Sequence, residues 1–152
     1  MAITYPEGLP SPLRADYQLQ LTSPLQRTTM DSGRSRQRRR FSNVPNVASF
    51  AWLFTSPEAM LFEGWFRDDL LDGAEWFECP LRTPLGMEIY NVRFVDVYSG
   101  PLLAGCSSWR YTARLEMRER TTLDPDWSSI LPEFVLGAEI FDLAINKEWS
   151  DF

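Results

Sequence analysis

The chain has 152 residues, 44% hydrophobic and 14% aromatic, enough for one domain with a real core, and carries a formal net charge of −6. It has no histidine and only two cysteines, which excludes histidine-dependent acid–base catalysis, Ser-His-Asp and Cys-His triads, His-containing metal sites and a disulfide framework. The eight glycines are scattered, so no Gly-rich phosphate loop is present.

Residues 1–30 hold Pro6, Pro10, Pro12 and Pro24 and few apolar runs. They read as an extended N-terminal arm with a short strand through Tyr17–Leu21, lying on a neighbouring subunit or wrapped on its own domain. The first residues carry neither a charged start nor an apolar run, so a soluble protein without a signal peptide is expected.

Residues 31–120 are expected to form the main domain. From Gly33 to Phe41, period-two alternation puts Arg34, Arg36 and Arg38 on one face of a strand and Arg39 on the other, with Arg40 following. After a turn at Asn43–Asn46, the run Val47–Phe54 is apolar on both faces, which predicts a central strand with Phe50, Trp52 and Phe54 together.

Thr55 and Glu58 stand at capping-box spacing with Pro57 in the first turn, so a helix is expected over 56–72, stopped at Gly73. Its apolar stripe of Phe62, Trp65, Phe66 and Leu70 predicts packing on the sheet, with Phe62, Trp65 and Phe66 as the helix–sheet anchor. Asp68, Asp69 and Asp72 form a carboxylate cluster with two readings, a cation site or a solvated helix end, of which the second is favoured. Trp76–Cys79 predicts a short strand ended by Pro80, and Met87–Tyr98 a longer one closed by Ser99-Gly100-Pro101.

Between Trp109 and Met117 the alternation is clearest: Trp109, Tyr111, Ala113, Leu115 and Met117 share one face, and Arg110, Thr112, Arg114 and Glu116 the other. The fold class expected is mainly β with one α-helix packed on the sheet, an antiparallel β-sandwich or open barrel, plus a C-terminal extension. That extension, 121–152, carries seven acids against Lys147 alone. Asp124-Pro125-Asp126 predicts a turn, and Leu131–Asn146 an amphipathic helix presenting Phe134, Ala138, Phe141 and Ile145. Phe134 and Phe141 are the residues expected to dock the tail on a neighbour.

Fourteen of the fifteen cations are arginine, a side chain that holds planar bidentate partners and stacks on aromatic faces. Six Trp, ten Phe and five Tyr point either to partner contact or to an aromatic-rich core. The arginine run has three readings: contacts between subunits through Arg34, Arg36, Arg38, Arg39 and Arg40, a nucleic-acid contact, or a solvated face. The acidic tail is opposite to it in sign and similar in size, which favours subunit pairing. No catalytic, cofactor-binding or metal residue emerges. Paired carboxylates of glycosidase type find no accompanying substrate motif.

The order of Gly33-Arg34-Ser35-Arg36-Gln37-Arg38-Arg39-Arg40, the strand ending at Phe54, the helix from Pro57 to Leu71, Gly73-Ala74-Glu75-Trp76-Phe77-Glu78-Cys79-Pro80 and the strand Trp109–Arg118 resembles the minor tail proteins of tailed bacteriophages, of the phage lambda minor tail protein M type. The likeness covers residues 5–119. It implies a tail-tube or distal-tail type of β-sandwich. It also implies a hexameric ring in the virion tail, assembled in the host bacterial cytoplasm. The implied partners are copies of itself and adjacent tail-tube, tail-tip or connector proteins, with DNA only as passing cargo, no cofactor and no membrane anchoring. The arginine run is denser than that family's pattern and the tail lies outside it, which leaves open a head-proximal connector or short-tail nozzle. A nucleic-acid-binding phage protein and a carboxylate-dependent tail hydrolase remain the rivals from other classes.

Overall fold

A computed structural model describes residues 2–138. The chain divides into two units, Met1–Thr121 and Thr122–Phe152. The first holds nine strands, β1 Ile3–Thr4, β2 Gln18–Leu21, β3 Leu25–Thr29, β4 Ser35–Arg39, β5 Asn46–Thr55, β6 Phe77–Thr83, β7 Gly86–Phe94, β8 Ser99–Ala104 and β9 Ser108–Met117, and the helix α1 Ser56–Asp68. Seven strands pair in one sheet in the order β1-β6-β7-β9-β5-β2, with β8 also on β9, while β3 and β4 form a separate ribbon.

The fold is mainly β, and its sheet is mixed where an antiparallel one was expected: β1 runs parallel to β6 through Ile3↔Phe77 and Thr4↔Glu78. The remaining pairs are antiparallel, led by the ten-residue register of β5 with β9. Alternation explains that pair. Ala48, Phe50, Trp52 and Phe54 on β5 and Tyr111, Ala113, Leu115 and Met117 on β9 are all buried on one face, because a two-residue period sends every second side chain to the same side. Phe50, Trp52 and Phe54 therefore lie together as the sequence predicts.

The helix begins where expected, with the Thr55 N–H donating to Glu58 Oε2 at 2.8 Å. It ends earlier than residue 72. Leu71, Asp72 and Gly73 are left-handed, with φ of 49°, 59° and 89°. The Leu70 N–H donates to the Trp65 carbonyl, and the Asp72 N–H to that of Phe66. This unwinding drives Leu70, fully buried, into the core. At Gly73 a Cβ would stand 3.0 Å from the Cβ of Phe94, so a side chain would be crowded as well as strained.

Three strand boundaries differ from expectation. Pro80 does not end β6. Glu78 turns its carbonyl to the Tyr5 N–H, and Pro80, two residues on, faces the same edge after β1 has ended, so its missing N–H costs no ladder bond. The strand expected over 87–98 is shorter: β7 stops at Phe94, residues 95–98 are a loop, and Tyr98 turns inward against Phe62, Phe66 and Tyr111. Ser99-Gly100-Pro101 then opens β8 rather than closing a strand. A Cβ on Gly100 would meet the Arg110 carbonyl at 2.7 Å, so only glycine lets β8 lie this close to β9 where the register shifts.

Of the two placements left open for the N-terminal arm, residues 2–21 take the second and wrap on their own unit. They start as β1 beside β6 at one end of the sheet and finish as β2 beside β5 at the other. In between, Leu9 is buried, the Leu13 N–H donates to the Ala51 carbonyl, and the Tyr17 hydroxyl donates to the Arg82 carbonyl at 2.6 Å. Tyr17 also packs edge-on against Phe50, 4.8 Å between centroids. Burial of Tyr5, Leu9 and Tyr17 holds the segment to its own unit, a long-range packing effect that proline content does not reveal.

In the second unit the expected turn at Asp124-Pro125-Asp126 is instead the start of α2, Pro125–Ile130. A proline at the first helical position loses no bond that a helix would have used. Residues 132–138 are helical as well. Phe134 is exposed and its ring lies 5.9 Å from that of Trp127. Phe141 and Ile145 lie outside the described residues.

Candidate assembly surface

The aromatic residues mostly fill the core. Phe62 sits at its centre, with ring centroids 5.1 Å from Phe54, 5.2 Å from Tyr111 and 5.5 Å from Tyr98. Trp65 stands perpendicular to Phe77 at 5.0 Å, and Phe66 meets Phe94 edge-on at 5.0 Å. Phe62, Trp65 and Phe66 are thus buried between α1 and the sheet. This packing accounts for most of the rings without any partner.

Burial also sets the protonation chemistry of the core. It pushes the Cys79 thiol up to about 12. Burial likewise raises Tyr5, with the Cys79 and Glu58 charges adding, and raises Tyr111, whose hydroxyl donates to Glu63 Oε1 at 2.7 Å. All three groups stay protonated and inert near neutral pH. Among the described residues no group of three or more His, Cys, Asp or Glu side chains could hold a metal ion, and no helix is long and apolar enough to cross a membrane.

The arginines are arranged differently. Leu25–Thr29 and Ser35–Arg39 alternate around the turn at Asp31-Ser32-Gly33, and Gly33 supplies the positive φ the turn requires. In the resulting ribbon Arg36 faces Thr28, and Arg38 faces Gln26, so these four share a side. Arg39, opposite Leu25, and Arg27, opposite Gln37, take the other side. Arg34 and Arg40 flank β4. All of β4 is exposed, and on β3 only Gln26 is partly covered.

The side-chain contacts of these arginines are local. Arg38 donates to Gln26 Oε1 at 3.1 Å, Arg39 donates to the Ser42 carbonyl at 2.8 Å, and Arg40 lies over the Phe41 ring at 5.3 Å. Among the described residues none of Arg34, Arg36, Arg38, Arg39 and Arg40 forms an ion pair. Elsewhere arginines do: Arg93 with Glu116 at 2.7 Å, Arg67 with Asp68 at 2.7 Å, and Arg110 with Asp16. Arg93 also covers the Trp76 ring at 4.6 Å.

Sequence reasoning placed the β4 arginines on alternating faces, and the structure has them so. It missed the partner strand: Arg27 is brought beside β4 by the hairpin. The signal was present, in two five-residue runs around an Asp-Ser-Gly turn. The carboxylates of Asp68, Asp69 and Asp72 are exposed at the end of α1, and the Arg67 guanidinium bonded to Asp68 holds that carboxyl below its ordinary value.

In comparisons with known proteins, the chain matches no family model and no curated protein.

Proposed function

We propose that this chain is a structural component of a bacteriophage virion, a tail protein that assembles with copies of itself into a hexameric ring and joins the tail tube to its neighbours. The observation that carries this reading is the β3–β4 ribbon: an arginine-dense hairpin outside the main sheet that, among the described residues, has no ion pair of its own. An isolated two-stranded ribbon is marginal in water and gains stability when it docks. Arginine is the residue suited to fix the register of such a contact by bidentate pairing with carboxylates.

The finer architecture we assign is an open barrel of tail-tube or distal-tail type. It is supported by the seven-stranded sheet, whose two ends are bridged by residues 5–17, with Tyr17 reaching Arg82. DNA is cargo in this reading and the site of action is the virion. A nucleic-acid-binding role is the second reading, favoured by the same unpaired arginines.

The test is electron microscopy of the purified full-length chain at high concentration, together with analysis of the proteins in purified particles. Rings, and the chain's presence in particles, are expected. A chain that stays monomeric and is missing from particles ends the proposal. A version cut after Thr121 retains the whole first unit and the buried Asn46 Nδ2 to Thr121 Oγ1 bond of 3.1 Å. It is expected to fold but to assemble poorly, and ring formation equal to the full chain would refute a role for Phe134 and the rest of the extension.

A further inference from the structure

The charge of this protein is sharply segregated. Residues 25–40 carry six arginines and one acid, Asp31, while the rest of the chain carries nine cations and twenty acids. Outside the ribbon, therefore, acids outnumber cations by more than two to one, and among the described residues the ribbon is the element with a large excess of the opposite sign.

A specific receptor surface lies on the first unit. A groove of about 620 Å³ runs between the turn that follows α1 and the loop joining β7 to β8, lined among others by Asp72, Arg93, Val95, Asp96 and Val97. Arg93 is already engaged, with Glu116 and with Trp76. Asp72 and Asp96 are exposed and, among the described residues, in no ion pair; Asp96 Oδ1 accepts from the Val97 N–H at 2.7 Å, and Val95 and Val97 beside them are exposed apolar side chains. The ribbon offers the complement: Arg36 and Arg38 on one face, Arg34 and Arg40 flanking, and exposed Met30 and Phe41 near its two ends.

We infer that the β3–β4 ribbon of one copy docks on the Asp72–Asp96 groove of a second copy, with Arg36 and Arg38 meeting the two carboxylates and Val95 and Val97 covered by the ribbon. The inference rests on the ring reading and names its contact. Because ribbon and groove are different surfaces of one chain, the contact is head-to-tail. Such contacts close into rings when the rotation between copies is right. Two charges brought together at a partly desolvated seam define register and disfavour other pairings.

The experiment compares full-length variants by sedimentation and electron microscopy between about 0.05 and 0.5 M salt, where exposed pairs weaken as screening rises. Arg36→Glu with Arg38→Glu reverses the ribbon, and Asp72→Lys with Asp96→Lys reverses the groove. Each pair alone is expected to weaken self-association about tenfold or more, and all four changes in one chain to restore it. Asp72 has a positive φ, so Asp96→Lys alone serves as the second groove variant should the pair unfold. A ribbon-reversed chain that forms rings as well as the parent overturns this contact while leaving the ring itself intact. A parent chain that never associates removes both. If ribbon reversal leaves association unchanged but abolishes salt-sensitive binding to a mixed-sequence DNA duplex, the ribbon is a nucleic-acid element and the proposal is wrong.

Discussion

Truncating Phe62 to alanine tests how α1 is held to the sheet. The side chain is fully buried, and its ring is surrounded by Phe54 at 5.1 Å, Tyr111 at 5.2 Å, Tyr98 at 5.5 Å, Trp52 at 5.8 Å and Trp65 at 6.1 Å. Removing a buried phenylalanine ring costs about 3–5 kcal/mol, from lost transfer energy and the cavity left behind. The upper part of that range applies here. The neighbours are rigid rings carried by β5, β9, α1 itself and the loop before β8, and they cannot all close on one void. Each lost ring pair adds about 0.5–1.5 kcal/mol, and the increments overlap because the rings share one cluster. The expected loss is about 4–5 kcal/mol, a fall in thermal midpoint of roughly 10–15 °C for a protein this size. Phe62→Leu keeps most of the volume and is expected to cost only about 1–2 kcal/mol. Urea unfolding of the three proteins, followed by tryptophan fluorescence and fitted with a common slope, measures both values. A loss below about 1 kcal/mol for alanine, or a leucine variant as weak as the alanine one, would refute packing of these rings as the helix anchor.

Two glycines are expected to respond with opposite signs. Gly64 lies inside α1 with open space where its Cβ would be, so Gly64→Ala should stabilise by about 0.5–1 kcal/mol. Gly73→Ala should destabilise by about 2–4 kcal/mol, because its φ is 89° and the new methyl would press on Phe94 and Phe66. Urea midpoints moving in the same direction would contradict this geometry. Stability should also fall in alkali. Cys79, Tyr5 and Tyr111 hold their protons more tightly folded than unfolded, so their contribution is complete below the unfolded thiol value of about 8.5. It then declines as pH rises, by about 1.4 kcal/mol per pH unit for each such group that has ionised in the unfolded chain. Unfolding curves from about pH 8 to about pH 11 check the slope, and a flat profile would mean these groups are hydrated. Over the same series a thiol reagent should label exposed Cys106 in the native protein and reach Cys79 only on unfolding.

Much of the first unit was written in local pattern. The two-residue period around Phe50 and Tyr111, the Thr55–Glu58 cap and the spacing of Phe62, Trp65 and Phe66 each depend on neighbours within a turn or two, and the chain states them directly. The arginine alternation over 34–40 belongs to the same class. The end of α1 was harder to read: the apolar spacing continues through Leu70, and only the space beneath it, bounded by Phe66 and Phe94, makes unwinding after Asp68 the better way to bury that side chain.

What local pattern could not supply was the partner of each edge. Proline content leaves residues 2–21 free to lie on a neighbour or on their own unit until Tyr5 meets Trp65 and Tyr17 meets Phe50, contacts between segments far apart in the chain, and Pro80 looks like a stop until β1 is known to end beside it. The ribbon shows the reverse: β4 looks like any strand of the sheet. Its arginines are too costly to bury unpaired, so β3 and β4 pair only with each other and leave the sheet to strands that carry apolar side chains. Alternation and capping are read from a few adjacent residues, so sequence alone determined β4, β5, β9 and the start of α1. Which elements share a core depends on apolar area and charge summed over distant segments, and that balance exists only once the chain has folded.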